Sequence, residues 1–241
     1  MHYFIGWDVG AWHCDKNENS RDALAVLQAT ENGTLRTVGS VWRNNLREAI
    51  NEHGELRSIV NACCNTSIGI DDRITIAIDT PLGLTQAVGR LVQGTCHQGN
   101  VPDDNTKNPY LFRQTEQWLL DKGYTPLSAI THMIGSQATK GMHLLRKFQL
   151  NSLECGIWSS GGVTAIETYP APCKVSQRLT RLFSSLNQSF VTQDRVDAVY
   201  CGLVAYLFAT DRNSLVSPVD NPPLDEGWIW IPADVIAGEE P

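Results

Sequence analysis

Apolar and polar positions fall into blocks that predict strands in the first third of the chain. Residues 3–9, YFIGWDV, form an apolar run that ends close to an aspartate and a glycine. The strand-like runs 22–29 and 34–42 flank Glu31-Asn32-Gly33, and an Asn-Gly pair in that position is typical of a β-hairpin. Residues 74–83, ITIAIDTPLG, are β-branched and apolar without alternation, as expected for a central strand covered on both faces.

Helical spacing of the apolar residues dominates the rest of the chain, apart from an irregular segment at 84–111. Helices are predicted at 45–63 and at about 112–122, 136–150, 173–187 and 194–211. A short strand is predicted at 163–170, VTAIETYP, and a terminal GWIWIP follows a proline-containing linker.

The order of these elements predicts an α/β fold with helices on both faces of a mixed five-stranded sheet. Three antiparallel strands come first, and strands connected by helices and running parallel come afterwards. This is the element order of the ribonuclease H-like fold. We therefore expect a single domain over 1–241 with a helical insertion at about 84–160.

Length, hydropathy and cysteine usage limit the class of protein. The chain has 241 residues, of which 42% are hydrophobic, enough for a substantial core. No apolar run approaches the roughly 18 residues of a membrane span, and the N-terminal segment does not resemble a signal peptide. Seven scattered cysteines fit reduced thiols, so we expect no membrane association and a cytoplasmic location. A zinc site at His13-Cys14 and Cys63-Cys64 is the alternative, but it lacks the usual ligand spacing.

The net charge of −7 and the pI of about 5.3 argue against tight, non-specific binding to long DNA, because such proteins are usually basic. A local basic patch or a bound cation can offset this charge.

Five carboxylates stand at the ends of predicted elements. Asp8, Asp79 and Glu167 end strands, and Asp194 and Asp197 open the last long helix, three residues apart and so on one face. A buried charge costs several kcal/mol, roughly, unless it is compensated. One or two Mg²⁺ or Mn²⁺ ions would compensate such a cluster, because these ions prefer oxygen ligands. Local capping of the backbone is the structural alternative for each residue.

Six segments in order resemble an uncharacterised family of predicted RNase H-like nucleases: IGWDVG, IAIDTPLGL, NPYLFRQTE, IETYPA, DRVDAVYCGLVAY and EGWIWIP. The D-x-x-D-A helix start is also similar to the RuvC branch of Holliday-junction resolvases. The resemblance implies that metal ligands are Asp8, Asp79, Asp194 and Asp197. It places an R-x-x-E element on Arg113 and Glu116 and an E-x-Y-P element on Glu167, Tyr169 and Pro170. Junction-cutting relatives are dimers, so the resemblance also allows a homodimer.

Residues that contact the substrate are harder to identify. Arg113 and Glu116 share a helix face, either as a local ion pair or as an arginine held for a phosphate. Lys140 lies in a Gly-flanked stretch that predicts a phosphate-contacting helix or a solvated face. Tyr169 is a further candidate. Stacking on bases is one role for Trp7, Trp12 and Tyr110, and core packing is the alternative, above all for Trp7.

Two functions are compatible with these residues. The first is a metal-dependent nuclease in which the carboxylates Asp8, Asp79, Asp194, Asp197 and Glu167 do the chemistry on DNA or RNA. The second is an inactive binding module on the same fold, or an enzyme acting on a small phosphorylated metabolite, which the acidic net charge favours.

Overall fold

A computed structural model describes residues 1–97 and 99–236. Its strands are β1 (His2–Asp8), β2 (Asp22–Ala29), β3 (Leu35–Thr37), β4 (Trp42–Asn44), β5 (Arg73–Asp79), β6 (Asn151–Glu154), β7 (Ile157–Ser160), β8 (Val163–Thr168) and β9 (Ile229–Trp230). Its helices are α1 (Arg47–Glu52), α2 (Leu56–Cys64), α3 (Gln86–Val92), α4 (Gln114–Asp121), α5 (Gly135–Lys147), α6 (Pro170–Cys173), α7 (Gln177–Ser185) and α8 (Gln193–Thr210). Residues 98 and 237–241, which the predicted domain includes, lie outside the described part.

The strands form one mixed sheet in the order β3-β2-β1-β5-β8-β7-β6. Strands β1, β2 and β3 are antiparallel neighbours, whereas β1, β5 and β8 run parallel. Strand β4 pairs with β2, and β9 lies parallel to β8. The α/β class and the mixed sheet predicted from the sequence are therefore confirmed.

Two expectations about the elements are corrected. The sheet has nine strands in the described residues rather than five. The hairpin β6–β7, within the expected helical insertion, extends the sheet, the predicted strand 34–42 divides into β3 and β4, and β9 pairs with β8. Gly156 makes the turn of this hairpin at a φ of +75°, where a side chain would be strained. The single helix predicted at 45–63 is two helices, α1 and α2, which separate at the residues around Gly54.

Alternation along β1 divides the core into two layers. Tyr3, Ile5 and Trp7 pack in the layer that contains side chains of α2 and α5, and Phe4 packs in the layer of α8. The central strands are covered on both faces, as their apolar sequences predict. Asp8 has the parity of Phe4 and so lies on the α8 face. No helix among residues 1–97 and 99–236 is long and apolar enough to cross a membrane.

Helix α8 crosses β1 at a pair of glycines. A Cβ atom placed on Gly6 would lie 1.8 Å from the carbonyl oxygen of Ala198 and 2.3 Å from the backbone nitrogen of Gly202. The backbone of the strand and that of the helix are thus in direct contact. This contact fixes the distance between the end of β1 and the first turns of α8.

Replacing Gly6 with alanine should destabilise the protein strongly. Overpacking a core costs about 1–3 kcal/mol, and here the new methyl group meets backbone atoms that cannot rotate away. We expect a loss of about 3 kcal/mol in urea unfolding followed by tryptophan fluorescence. The matched control is Gly89→Ala inside α3, where the new Cβ meets nothing within 4 Å. That variant should be stabilised by about 0.5–1 kcal/mol. Equal stability of the two variants would contradict the close contact.

Candidate functional site

Asp8 and Asp79 lie side by side at the carboxyl ends of two neighbouring parallel strands. They are directly paired in the register of β1 and β5, and both are partly exposed. Burial raises the pKa of Asp8 well above its usual value, and the charges of Asp79 and Asp197 raise it further. Burial, followed by the charges of Asp197 and Glu167, raises the pKa of Asp79 to about 8. A hydrogen bond to Asp8 acts in the opposite direction. The folded protein therefore holds a proton on this pair of carboxylates more strongly than the unfolded chain does.

Asp197 faces this pair from α8, and its carboxylate is bound by two other side chains, those of Lys174 and Gln193. Its Oδ1 lies 2.5 Å from Nζ of Lys174 and accepts a hydrogen bond of 2.9 Å from the Gln193 amide. Lys174 thus compensates the carboxylate that the sequence places on an apolar helix face. This ion pair is partly exposed, with 32% of the lysine side chain accessible.

Asp194 is held more tightly, on the side of the site near β4. Its Oδ2 accepts hydrogen bonds from Nε of Arg43 at 2.6 Å and from the Arg21 backbone nitrogen at 3.1 Å. Its charge still contributes to the raised pKa of Asp8. Asp194 therefore belongs to the same electrostatic cluster, and its carboxylate is already paired.

The donor set of Asp8, Asp79 and Asp197 fits a hard divalent cation, because it consists of carboxylate oxygens that repel one another. Within residues 1–97 and 99–236, no group of three or more His, Cys, Asp or Glu side chains is arranged to hold an ion. In this arrangement the Asp197 carboxylate is paired with Lys174. The described residues do not form the alternative zinc site at His13-Cys14 and Cys63-Cys64 either. The Cys14 thiol instead donates a hydrogen bond to Asp22.

Glu167 lies near the end of β8, but its side chain does not lie beside those of Asp8 and Asp79 as its position at a strand end predicts. It pairs with Ile78 in the β5–β8 register, one residue out of step with Asp79, so it projects from the opposite face of the sheet. Both carboxylate oxygens are bound by Arg113, at 2.6 and 2.8 Å. The expected catalytic carboxylate is thus buried in an ion pair and lies outside the carboxylate cluster.

Arg113 and Glu116 complete this second, buried network. The Arg113 side chain donates to Glu116 Oε1 at 2.9 Å and to the Glu226 carbonyl oxygen at 2.8 Å. Arg113 and Glu116 form the local ion pair that was one of the two alternatives, and their exposure of only 2% and 1% leaves no phosphate contact in this conformation. Burial raises the pKa of Glu116, against the lowering effect of Arg113.

The Arg113 network fixes the loop that follows Asp79. Glu167 Oε2 accepts from the Leu82 backbone nitrogen at 2.9 Å. Glu226, which no sequence pattern had pointed to, accepts from the backbone nitrogens of Gln86 and Gln114 at 2.8 and 3.1 Å. The only signal for Glu226 in the sequence is its place in the EGWIWIP segment. These residues position the site without lying in it.

Lys140 is fully buried and pairs with Asp22, a second residue that no sequence pattern had pointed to. Its Nζ also donates to the carbonyl oxygens of Gly10 and Ala11, each at 3.2 Å. Neither the phosphate-contacting helix nor the solvated face expected for Lys140 is present. Its long-range partner explains the difference, since Asp22 lies 118 residues away in the chain.

Asp22 accepts hydrogen bonds from several chain segments that meet at the end of β1. Its Oδ1 accepts from the Trp7 indole at 3.1 Å and from the Gly10 backbone nitrogen at 2.9 Å, and its Oδ2 accepts from the Leu46 backbone nitrogen at 2.8 Å. Trp7 is thus a core residue, whereas Trp12 is partly exposed and donates to Thr139 Oγ1 at 3.1 Å. Tyr110 is also partly exposed.

Tyr169 lies at the edge of a pocket beside Asp79. Its hydroxyl donates to the Thr125 carbonyl oxygen at 3.1 Å, and burial raises its pKa. The candidate site thus consists of a carboxylate cluster on the α8 face and an adjoining pocket, and two buried ion-pair networks support it. Comparison with protein-family models, curated proteins and solved structures finds no match to this chain.

Lys140→Met should destabilise the protein by about 3–5 kcal/mol, because it leaves the Asp22 carboxylate buried without its cation. The double variant Asp22→Asn/Lys140→Met should recover part of this loss, since no uncompensated charge remains. Urea unfolding of both variants and of Asp22→Asn measures the coupling. A double variant less stable than Lys140→Met would contradict a compensating ion pair.

The stability of the metal-free protein should fall as the pH rises from about 5 to 8. Between the unfolded pKa of 3.8 and the raised folded pKa of about 8, Asp79 holds a proton only in the folded state. Stability is therefore lost as the pH rises through this window. Urea unfolding in a chelator should show a shallower pH dependence for Asp79→Asn than for the wild type. The exposed control Asp121→Asn should keep the wild-type slope, and an unchanged slope in Asp79→Asn would contradict the shared protons.

Proposed function

We propose that this protein is a metal-dependent nuclease that hydrolyses phosphodiester bonds of DNA or RNA with Mg²⁺ or Mn²⁺. The observation that carries the proposal is the direct pairing of Asp8 with Asp79 at the ends of two parallel strands, with Asp197 of α8 facing them. Carboxylates on adjacent strand ends occupy the edge where ligands of α/β sheets bind.

The strand order supports an RNase H-like assignment. With β5 and β8 counted as the fourth and fifth strands, the central order is 3-2-1-4-5, with three antiparallel strands and then parallel ones. Helix α8 then takes the place of the last helix, which carries the two aspartates in the RuvC-type pattern. This correspondence is the basis for extending the resemblance from the motifs to the site.

The raised pKa values of Asp8 and Asp79 support a cation as the missing partner. Two neighbouring carboxylates repel each other, and a divalent ion relieves the repulsion better than shared protons do. Asp8, Asp79 and Asp197 would hold the ion. When bound, Mg²⁺ or Mn²⁺ makes a water molecule acidic enough to ionise near neutral pH and stabilises the leaving oxygen.

The side chains around the cluster have separate roles in this proposal. Arg43 keeps Asp194 oriented and neutralised at the start of α8. Lys174 holds Asp197, and its ammonium group would be available to a phosphate oxygen if Asp197 served as a metal ligand. Arg113 acts at a distance by holding Glu167, which binds the loop after Asp79.

An enzyme that acts on a small phosphorylated metabolite is the second candidate. The net charge of −7 favours it, because a long polyanion is repelled more strongly than a small one. Both candidates use the same carboxylates. They differ in whether oligonucleotides or small phosphate esters are consumed, so parallel assays with the two substrate classes distinguish them.

Isothermal titration with Mn²⁺ tests the metal site. The wild type should bind one or two ions, and Asp8→Asn or Asp197→Asn should weaken binding at least about tenfold, because metal sites depend on each charged ligand. Asp121→Asn is the matched control for an exposed aspartate.

Cleavage of single-stranded and duplex DNA and RNA by the same variants tests the chemistry. Asp8→Asn should abolish cleavage while leaving the circular dichroism spectrum and the cooperativity of unfolding unchanged. Full activity in a folded Asp8→Asn variant would remove this mechanism. Hydrolysis of small phosphate esters alone would favour the second candidate.

A further inference from the structure

A pocket of about 140 Å³ opens directly beside Asp79 and is not explained by the carboxylate cluster. Its walls come from the strand ends and from the segment between α4 and α5. The apolar side chains that line it are Val9, Pro81, Pro126, Leu127, Ile134 and Ile229. Such walls suit a flat apolar ring system better than a phosphate group.

Polar side chains also line the pocket, among them Asp79, Glu167, Thr80 and Gln137. Thr80 is 4% exposed, and its Oγ1 is buried without a hydrogen-bond partner in the part of the chain that the structure describes. Buried hydroxyl groups are normally paired, so an unpaired one beside a pocket points to a missing partner. Gln137 also lines the pocket and carries both a donor and an acceptor. The Tyr169 hydroxyl donates to Thr125 and retains acceptor capacity.

The size of the pocket limits what enters it. A protein cavity of about 150 Å³ lined by apolar side chains accepts one benzene ring. The space beside Asp79 is therefore suited to a single six-membered ring with polar edges, which is the chemistry of a pyrimidine base. A base paired and stacked in a duplex cannot reach such a pocket unless it is extruded.

We propose that this pocket receives one unstacked pyrimidine base of a single-stranded nucleic acid, next to the phosphate that lies at the carboxylate cluster. The Gln137 amide reads the edge of the base, and the aliphatic side chains contact its faces. This inference rests on the proposed nuclease function for the identity of the ligand, but the pocket can be tested by binding alone.

The binding test uses the full chain with Asp8→Asn, so that the probe is not cleaved. Fluorescein-labelled thymidylate and adenylate single strands of about eight nucleotides, and a duplex of equal length, are titrated in Mg²⁺ by fluorescence anisotropy. We expect the thymidylate strand to bind about tenfold more tightly than the other two probes.

Adding Gln137→Leu should remove most of this tenfold preference, because leucine keeps the side-chain bulk and loses the amide. The matched control is Gln177→Leu on α7, an exposed glutamine that does not line the pocket. Thr80→Val is a second variant. It should weaken thymidylate binding without loss of stability, since it replaces an unpaired buried hydroxyl by a methyl group of similar shape.

The outcomes separate the pocket from the nuclease function. Equal binding of all probes, no binding, or a Gln137→Leu variant that matches its control would overturn the pocket assignment, even if the wild type cleaves nucleic acids. A thymidylate preference that depends on Gln137, together with a wild type that cleaves none of the probes, would support the pocket and overturn the nuclease proposal. Cleavage next to pyrimidines in single strands would support both.

Discussion

Like charges crowded at one edge of the sheet are the constraint on which the rest of the structure depends. Parallel pairing of β1 with β5 sets Asp8 directly beside Asp79, and the contact of α8 with β1 brings Asp197 to the same place. Burial and mutual repulsion raise the pKa values of the two strand-end aspartates, and the Lys174 ammonium group pairs with Asp197. The Lys174–Asp197 pair is partly exposed, whereas the ion pairs in the core are almost fully buried.

The two buried ion-pair networks differ from the partly exposed carboxylate cluster. Asp22 with Lys140, and Glu167 with Arg113, are almost inaccessible to solvent and bind backbone groups as well as each other. Buried pairs of this kind contribute little net stability relative to apolar residues, but they fix geometry. Here they fix the segments that follow β1 and β5, which are the two strands that carry Asp8 and Asp79. The partly exposed carboxylate cluster is thus flanked by ion pairs that are buried and fully paired.

Local patterns in the sequence were sufficient for the central strands β1, β2, β5 and β8 and for the place of Asp8 and Asp79 at strand ends. A strand that ends at an aspartate can be identified from its own residues, and adjacent parallel strands end at the same edge. Glu167 shows where this reasoning fails, because a shift of one residue in register moves a side chain to the other face of a sheet. The sequence 163–170 contains no strict alternation that would reveal this parity. The prediction for Lys140 is wrong for another reason. Its partner Asp22 is distant in the chain, and only the tertiary fold brings the two together.

The close contact of Gly6 with α8 affects both the stability of the fold and the spacing of the carboxylates. The strand and the helix that carry Asp8 and Asp197 touch through backbone atoms, so their separation cannot adjust by a change of side-chain rotamer. A helix displaced by a larger residue at this crossing would carry Asp194 and Asp197 away from the strand ends together. The carboxylates would then repel each other less, and the pKa values of Asp8 and Asp79 would move back towards their usual range. The contribution of the α8 carboxylates to these pKa values, which adds to the larger effect of burial, therefore follows from a packing arrangement in which the helix lies as close to the sheet as the backbone permits.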